Sequence, residues 1–251
     1  MMASLRDAVQ TLDLPPGYTL VSLRESGDAF SHGLAIAEQA GAGTLVWVGR
    51  YDLVEFAVVL EPDEPLASAR RALFAGMNAV ADAIAAHCQP EREVSFAWPD
   101  TVLFDQGLLG GARLGWPPGC GEGDVPSWLV LGFMLRAVDV THVETGSAPW
   151  GVSLTGAGFE LLETEAIVGS FARHLMTGFD QWNERGFAPI GEAFLARLPK
   201  AKAGEWRSID DNGDLLIRTP ADKGPPTSKS LRDGLAAMAW YDPKLGGPRL
   251  E

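Results

Sequence analysis

VSFAWPDTVLFDQGLLGGARL, residues 94–114, decides the fold of this chain, because it alternates short apolar runs with residues that end strands. Residues 94–98 and 102–104 have the composition of two short β-strands. Pro99 has a fixed φ and no amide hydrogen, so the first strand is predicted to end there. The stretch therefore predicts a β-meander.

The second half of this stretch contains three glycines with separate predicted roles. Gly107 follows Asp105 and Gln106, and we expect it to take a positive φ in the turn. Gly110 and Gly111 have no Cβ, so another group can approach their backbone closely. That group is either a ligand above the strand or a neighbouring part of the chain, since strand glycines also mark simple bulges.

The stretch resembles the central motif of the biotin/lipoate A/B protein ligase superfamily. That motif reads K-W-P-N-D-[IL]-[LY], then a short turn, then [RK]-K-[LIV]-[AS]-G. Trp98 and Pro99 match it, whereas Asp100 stands at the family's Asn and Thr101 at its Asp. Leu108 falls where the family has the lysine that contacts the acid and the acyl phosphate.

The resemblance implies a reaction in which a carboxylic acid (biotin, lipoate or octanoate) and ATP with Mg²⁺ form an acyl-adenylate. A lysine of a carrier-protein domain then attacks that adenylate. The oxygens that become charged need fixed positive groups, and Leu108 supplies none. The family motif implies ligand contacts for Trp98, Pro99, Asp100 and Thr101, and a pocket floor at Gly110 and Gly111.

Two arginines could replace the missing lysine. Arg50 is all that remains of the family's Gly/Arg-rich loop, and it either binds an anion or pairs with Asp52. Arg113 lies five residues after Leu108, an odd offset that places it on the opposite face of a strand. A bulge at Gly110 and Gly111 would bring Arg113 to the same face as Leu108.

Two further positions are candidates for the site. Gly132, in the apolar run of residues 128–136, matches a glycine in a strand of the family that contacts ligand. Cys120 lies in a glycine-rich loop, residues 115–125, and some octanoyl transferases carry the acyl group on cysteine. No His or Lys close in sequence would activate this thiol.

The order of elements predicts an α+β fold: a mixed, mostly antiparallel sheet flanked by helices, similar to class II synthetases and biotin ligases. Asp28 is predicted to cap a helix that runs to about residue 40. Long helices are predicted at residues 66–87 and 163–184, each with one apolar stripe. Asn212-Gly213 predicts a hairpin. We divide the chain into residues 1–185, the ligase-like domain, and 186–251, a small C-terminal domain with a β-hairpin and a terminal helix.

Composition excludes several partners. The formal net charge of −13 disfavours nucleic acid and anionic membrane surfaces, and no apolar run is long enough to span a bilayer. Two cysteines and the lack of a signal-peptide pattern predict a cytoplasmic protein. The expected partners are a small carboxylic acid and an acyl-carrier-type protein domain, and a homodimer is one option.

Three functions remain open from the sequence. The first is a biotin/lipoate-type ligase or acyltransferase with a divergent site, in which Arg50 and Arg113 bind anions. The second is a relative without catalysis that binds an acyl ligand, a nucleotide or a carrier protein. The third is an acyltransferase that uses Cys120 covalently.

Overall fold

The computed structural model describes residues 12–24, 27–138, 151–160 and 163–250. A seven-stranded sheet forms the centre, with the strands β1 (Thr19–Leu23), β2 (Thr44–Val48), β3 (Leu53–Leu60), β4 (Val94–Ala97), β5 (Thr101–Phe104), β6 (Gly107–Gly115) and β7 (Leu129–Arg136). Its order is β1-β2-β3-β7-β6-β5-β4. β1 and β2 pair in parallel and the other neighbours pair antiparallel, which confirms the predicted mixed, mostly antiparallel sheet.

Helices cover both faces of this sheet. They are α1 (Ala29–Ala40), α2 (Leu66–Ala69), α3 (Ala72–Ala85), α4 (Glu163–Arg185), α5 (Ala188–Ala196) and α6 (Leu231–Ala237). The helix predicted over residues 66–87 is interrupted, because a tighter turn at Arg70 and Arg71 separates α2 from α3. α4 agrees with its predicted span to within one residue.

One face of the sheet, here called the α3/α4 face, carries the main core. Phe56 of β3 and Phe133 of β7 pack against Phe171 of α4, with ring centroids 4.7 and 5.2 Å from it. All three rings are buried. Replacing such a ring by alanine costs about 3–5 kcal/mol of unfolding free energy, since a cavity remains.

The opposite face, here called the α1 face, is covered by α1 over β2, β3 and β7. Ala29 and Ala37 of α1 pack there against Val46, Ala57 and Val130. Because both faces of β3 are buried, its sequence LVEFAVVL is almost continuously apolar instead of alternating. The α1 face is the one that carries the candidate site.

The turn between β5 and β6 differs from its prediction. Phe104 pairs with Gly107, so the loop has two residues. Asp105 and Gln106 take the positive φ angles, 47° and 69°, and Gly107 begins β6. In such a short loop, two positive φ angles match the right-handed twist of the adjoining strands. Asp105 and Gln106 therefore adopt them, although neither is the glycine that is usual there.

The C-terminal part contains the expected β-structure. It consists of β8 (Trp206–Ile209), β9 (Leu215–Arg218), β10 (Thr227–Lys229), β11 (Tyr241–Asp242) and β12 (Gly247–Pro248). β8 and β9 pair antiparallel around the predicted Asn-Gly turn. The domain boundary at residues 185 and 186 stays a prediction. Asn78 of α3 donates to the carbonyl of Ile190 in α5 at 2.9 Å, so the two predicted parts are in contact.

Candidate functional site

A bulge in β6 determines which side chains share the α1 face. Val102 pairs with Gly110 but Leu103 pairs with Leu108, so Leu109 is an extra residue. Leu109 is buried in the main core, whereas Leu108 packs against Trp240 on the opposite side. Gly111 and Arg113 continue on the Leu108 side. The bulge thus puts Arg113 and Leu108 on one face. It lies at Leu109, one residue before the position that the sequence suggested.

Arg113 is held by the residue that begins α1. Its Nη1 and Nη2 donate to the two carboxylate oxygens of Asp28 at 3.0 and 3.1 Å. Its guanidinium also lies 4.7 Å from the ring of Phe30 and 5.7 Å from that of Tyr241. The Arg113 side chain is 12% exposed, so its charge is largely enclosed and already paired.

Asp28 has two roles at once. As predicted it caps α1, since its Oδ1 accepts from the amide of Ser31 at 2.7 Å. Burial alone would raise its pKa, but the amide of Ser31 and the guanidinium of Arg113 outweigh burial and lower the pKa below its usual value. Asp28 is therefore a carboxylate at neutral pH.

Glu55, which the sequence reasoning missed, is a buried carboxyl group next to this pair. It is 1% exposed in the middle of β3, and its Oε1 accepts from the amide of Ala29 at 2.7 Å. Its Oε2 has no hydrogen bond and lies 3.6 Å from Nη1 of Arg50. Burial raises its pKa. The sequence does carry a signal for this residue, since Glu55 is the charged residue in an otherwise apolar strand.

Arg50 adopts the second of its two predicted arrangements. Its Nε and Nη2 donate to Asp52 at 2.9 and 2.7 Å. Two arginines of this face, Arg50 and Arg113, thus meet three carboxyl groups, those of Asp28, Asp52 and Glu55. The cluster has no excess of positive charge.

The glycines proposed as a pocket floor are covered by the chain itself. A Cβ on Gly132 would lie 2.8 Å from the ring of Phe30, and one on Gly111 would lie 2.5 Å from the indole of Trp240. A Cβ on Gly110 would overlap the carbonyl of Met134 in β7. Ligand contact at these glycines stays a prediction, and the close approach that they permit is made here by aromatic rings and a neighbouring strand.

The segment that brings Trp240 to this face is anchored by Arg136. Arg136 is 5% exposed, and its Nη2 donates to the carbonyls of Pro248 and Arg249 at 2.8 and 3.0 Å. The indole N–H of Trp240 donates to the carbonyl of Ala112 at 3.3 Å. Trp240 and Arg136 were not predicted, because their partners are more than a hundred residues away in the sequence.

The motif residues before the turn are divided between two environments. Trp98 lies against Phe74 and Phe194, with centroids 5.7 and 6.0 Å away, so it packs in the main core. Pro99 lies under α6, where a Cβ on Gly234 would be 2.7 Å from the proline ring. Neither contact involves Arg113.

Asp100 is a buried acid beside Trp240. It is 1% exposed, the hydroxyl of Thr101 donates to its Oδ1 at 3.4 Å, and its Oδ2 has no hydrogen bond. Burial raises its pKa to about 7, although its own backbone amide and the nearby side chains of Trp240 and Thr101 act in the opposite direction. Near neutral pH this carboxyl group is thus divided between its two protonation states.

Cys120 lies in a different part of the molecule. It packs with Trp116 and the residues of α2, and its Sγ is 3.8 and 3.9 Å from the carbonyl oxygens of Gly121 and Asp124. Carbonyl oxygens accept a hydrogen bond from the thiol and do not stabilise a thiolate. Its nucleophilic role stays a prediction that these contacts do not support.

Two findings cover the described residues as a whole. Within residues 12–24, 27–138, 151–160 and 163–250, no group of three or more His, Cys, Asp or Glu side chains could hold a metal ion. In the same part of the chain, no helix has the length and hydropathy needed to cross a bilayer.

Comparisons with known proteins agree with this fold and this arrangement of strands. Residues 14–196 match the model of the biotin/lipoate A/B protein ligase family. A biotin–[acetyl-CoA-carboxylase] ligase from Paracoccus denitrificans is 30% identical over 177 residues, which are 65% of this chain and 73% of that protein.

Two solved structures show the same fold. A biotin protein ligase-like protein of unknown function from Silicibacter sp. superposes with a TM-score of 0.75 at 24% identity, covering 90% of this chain and 99% of that one. The biotin protein ligase from Aquifex aeolicus in complex with biotin and ATP superposes with a TM-score of 0.60 at 14% identity, covering 84% and 94%. Together with the match over residues 14–196, the fold and the motif at residues 98–111 show that the chain belongs to the biotin/lipoate A/B protein ligase family.

Proposed function

We propose that this chain binds a carboxylic acid of the biotin, lipoate or octanoate class on its α1 face and serves its attachment to a lysine of a carrier protein. The supporting observation is Arg113. Its enclosed guanidinium lies on the same face as Gly111 and Leu108, beside the beginning of α1. A ligand carboxylate or phosphodiester can replace Asp28 as its bidentate partner, since the geometry of the two anions is alike.

The residues present fit a singly charged anion better than ATP. The triphosphate of ATP carries several negative charges, whereas Arg50 and Arg113 already face Asp28, Asp52 and Glu55. Such a cluster offers one exchangeable guanidinium and no surplus of positive charge. It fits an acid or an acyl-adenylate and does not fit ATP with its magnesium ion.

The residues of this chain would have separate roles in binding the ligand. Arg113 would orient the carboxylate, with the rings of Phe30 and Tyr241 keeping the guanidinium in place. Gly111 would allow an apolar ligand chain to lie on β6 once Trp240 moves away. The site is therefore proposed for a ligand that competes with the indole of Trp240.

A second candidate, binding without turnover, is favoured by a specific observation. Leu108 replaces the motif lysine and packs against an apolar cluster that contains Leu53, Met134 and Trp240. The apolar side chain of Leu108 cannot neutralise a developing charge on the acyl group. On this alternative the chain holds the acid or its adenylate and does not transfer it. The cytoplasm remains the proposed location for either function.

The decisive experiment measures binding and turnover separately. Thermal shift and calorimetry would test biotin, lipoate, octanoate and their non-hydrolysable adenylate mimics with the unmodified chain. A ligand at a hundred times its dissociation constant stabilises the protein by about 2.7 kcal/mol. Arg113→Gln should abolish the ligand-induced thermal shift. Arg218→Gln is the matched control, because Arg218 is an exposed arginine on β9.

Mass spectrometry of a biotin- or lipoate-accepting carrier domain would test turnover with the chain and either the matching acid and ATP or the preformed acyl-adenylate, from which AMP leaves as the carrier lysine forms the amide. The adenylate without the chain is the control. Acylation of the carrier lysine together with a ligand-induced shift would support the ligase function. A shift without acylation would support the binding function. If none of the acids or mimics binds, both proposals fail.

A further inference from the structure

A groove of about 550 Å3 opens far from the Arg113 cluster. Its apolar bottom includes Leu60 at the end of β3 and Leu129 at the start of β7. Leu60 lies five residues beyond Glu55, about 17 Å along the strand. The groove thus has the volume typical of a small-molecule site and is separate from the candidate acid site.

Two aromatic side chains of α4 form one wall of the groove. Phe179 and Trp182 are three residues apart, so they lie on one side of the helix. Their rings are stacked, with centroids 6.1 Å apart and planes at 30°. Both residues are only partly buried, so their rings offer an apolar surface with negative π-faces to a ligand.

The rim of the groove is negative. Glu61, Asp63 and Glu64 line it, and among the described residues that line it there is no lysine, arginine or histidine. The C-terminal end of α4 also contributes, since Asn183 and Gly186 line the groove. A helix C-terminus carries a partial negative charge, which favours cations.

Two backbone donors at the groove are already used. The amide of Ala42 donates to Oε1 of Glu61 at 3.2 Å, and the amide of Ala69 donates to the carbonyl of Pro65 at 2.8 Å. A ligand anion would therefore meet carboxylates, and these two amides offer it no hydrogen bond. A cation finds the carboxylates of Glu61 and Asp63, since Glu64 is already bound by Arg71.

The chain itself holds a cation in this way immediately beside the groove. The guanidinium of Arg71 donates to Oε2 of Glu64 at 2.8 Å. It also lies 5.5 Å from the ring of Trp182 and 4.7 Å from that of Phe187. At this surface a positive group is thus already stabilised between a carboxylate on one side and an aromatic face on the other.

We propose that this groove binds a small amphipathic organic cation, an ammonium or guanidinium group on an apolar chain or ring. The apolar part lies on Phe179 and Trp182, and the cation lies between Glu61 and Asp63. Both of these carboxylates are exposed at the rim. The site is independent of the acid site and of the function proposed for it.

Calorimetry with 2-phenylethylammonium tests the proposal directly. Its neutral isostere 2-phenylethanol and the anion 3-phenylpropanoate have nearly the same apolar part. We expect the cation to bind about tenfold more tightly than the alcohol, which is the size of a charge-assisted hydrogen bond. The anion should not bind, and the affinity of the cation should fall as salt is added.

Variants assign the effect to the groove. The double variant Glu61→Gln/Asp63→Asn should remove the preference for the cation. The double variant Glu38→Gln/Glu91→Gln changes the net charge equally at exposed positions outside the groove and should leave it intact. Phe179→Leu should weaken the binding of the cation and of the alcohol by similar factors, because both place the same apolar part on this ring.

Several outcomes would overturn the proposal. Equal affinity for the cation and the alcohol would show that the groove binds apolar groups without regard to charge. An equal loss of affinity for the cation in both double variants would mean that net charge alone attracts the ligand. Absence of binding at millimolar cation would exclude the site. A short peptide with one lysine between leucines, binding more tightly than the free amine, would assign the groove to a partner protein.

Discussion

The indole of Trp240 lies against the bare backbone of Gly111. A Cβ on Gly111 would be 2.5 Å from the ring atoms, a distance that packed side chains do not adopt. Trp240 is 1% exposed, although it is 129 residues further along the chain. The glycine that we expected to admit a ligand thus admits a ring from the C-terminal segment, and a ligand at this position has to compete with it.

This contact predicts that Gly111→Ala destabilises the protein by about 1–3 kcal/mol, because an extra methyl group overpacks a filled region. Urea unfolding would measure the loss. In a Trp240→Ala background the added methyl group has room, so its cost should largely disappear.

Gly178→Ala is the control for this pair of measurements. Gly178 lies in α4 with nothing within 4 Å of a Cβ, so alanine should stabilise the protein by about 0.4–1 kcal/mol. An equal cost of Gly111→Ala with and without the indole would contradict the packing of Trp240 on Gly111.

Asp28→Asn should lower stability at neutral pH and have little effect in acid. Asparagine still caps α1, so the substitution removes mainly the charge opposite Arg113. The pKa of Asp28 is lower in the folded chain than when unfolded, so its contribution is complete above about pH 4 and is lost as the pH falls through the folded-state value.

Urea unfolding at about pH 7, 5 and 3.5 would measure this difference between the variant and the unmodified chain. Asp180→Asn, at an exposed position of α4, is the matched control. A difference that stays constant over this range, or grows in acid, would show that the Asp28 carboxylate does not stabilise the fold through Arg113.

The stability of the Asp100→Asn variant, relative to that of the unmodified chain, should increase as the pH rises. The pKa of Asp100 is raised to about 7 in the folded chain, above its unfolded value, so folding binds a proton between about pH 4 and 7. The unmodified chain therefore loses stability across that window as the pH increases. The asparagine variant, which carries no ionisable group there, should lose less.

Denaturant titrations of this variant at about pH 5 and 8 would test the sign. The unmodified chain should be the less stable of the two at the higher pH. If instead the variant is less stable by the same amount at both values, the pKa of Asp100 is not raised by folding.

Leu108→Lys restores the charge that the family motif has at this position. Leu108 is partly exposed beside Trp240, so the lysine can keep its stem on the apolar cluster and extend its ammonium group outward. Affinity for the adenylate mimics should rise by about tenfold, as expected for a new charge-assisted hydrogen bond. Calorimetry would measure it.

Leu108→Met is the control for shape without charge, and its affinity should match that of the unmodified chain. If the lysine variant binds the mimics no better than the methionine variant, the α1 face next to Leu108 is not where the acid anion binds, and the assignment of this face fails.

Local pattern accounts for much of the fold. Leu73, Met77, Val80 and Ile84 recur at helical spacing, and all four are buried in α3. Pro99 ends the first motif strand as expected, with β4 finishing at Ala97. The turn conformation at Asp105 and Gln106 was wrongly assigned to Gly107, because a two-residue loop requires its positive φ angles at fixed positions whatever residues are there.

The candidate site was predicted less completely. The sequence indicated Arg113 and Arg50 as the cations that could replace the motif lysine, and it left Arg50 with Asp52 as an alternative. It did not indicate that Asp28 would bind Arg113 from 85 residues away, or that Glu55 would lie buried beside them. Such pairs depend on which strands become neighbours, and sequence spacing carries no information about that.

The sequence by itself determined the family, the alternation of strands and helices, and the loss of the motif lysine at Leu108, because these depend on residue type and local periodicity. Tertiary structure alone decided the electrostatics of the site. The bulge at Leu109 turned Arg113 to the α1 face, strand pairing brought Glu55 close, and the C-terminal segment placed Trp240 on Gly111. Charge pairing and steric filling act over a few ångströms in space, so they are fixed only when distant segments meet.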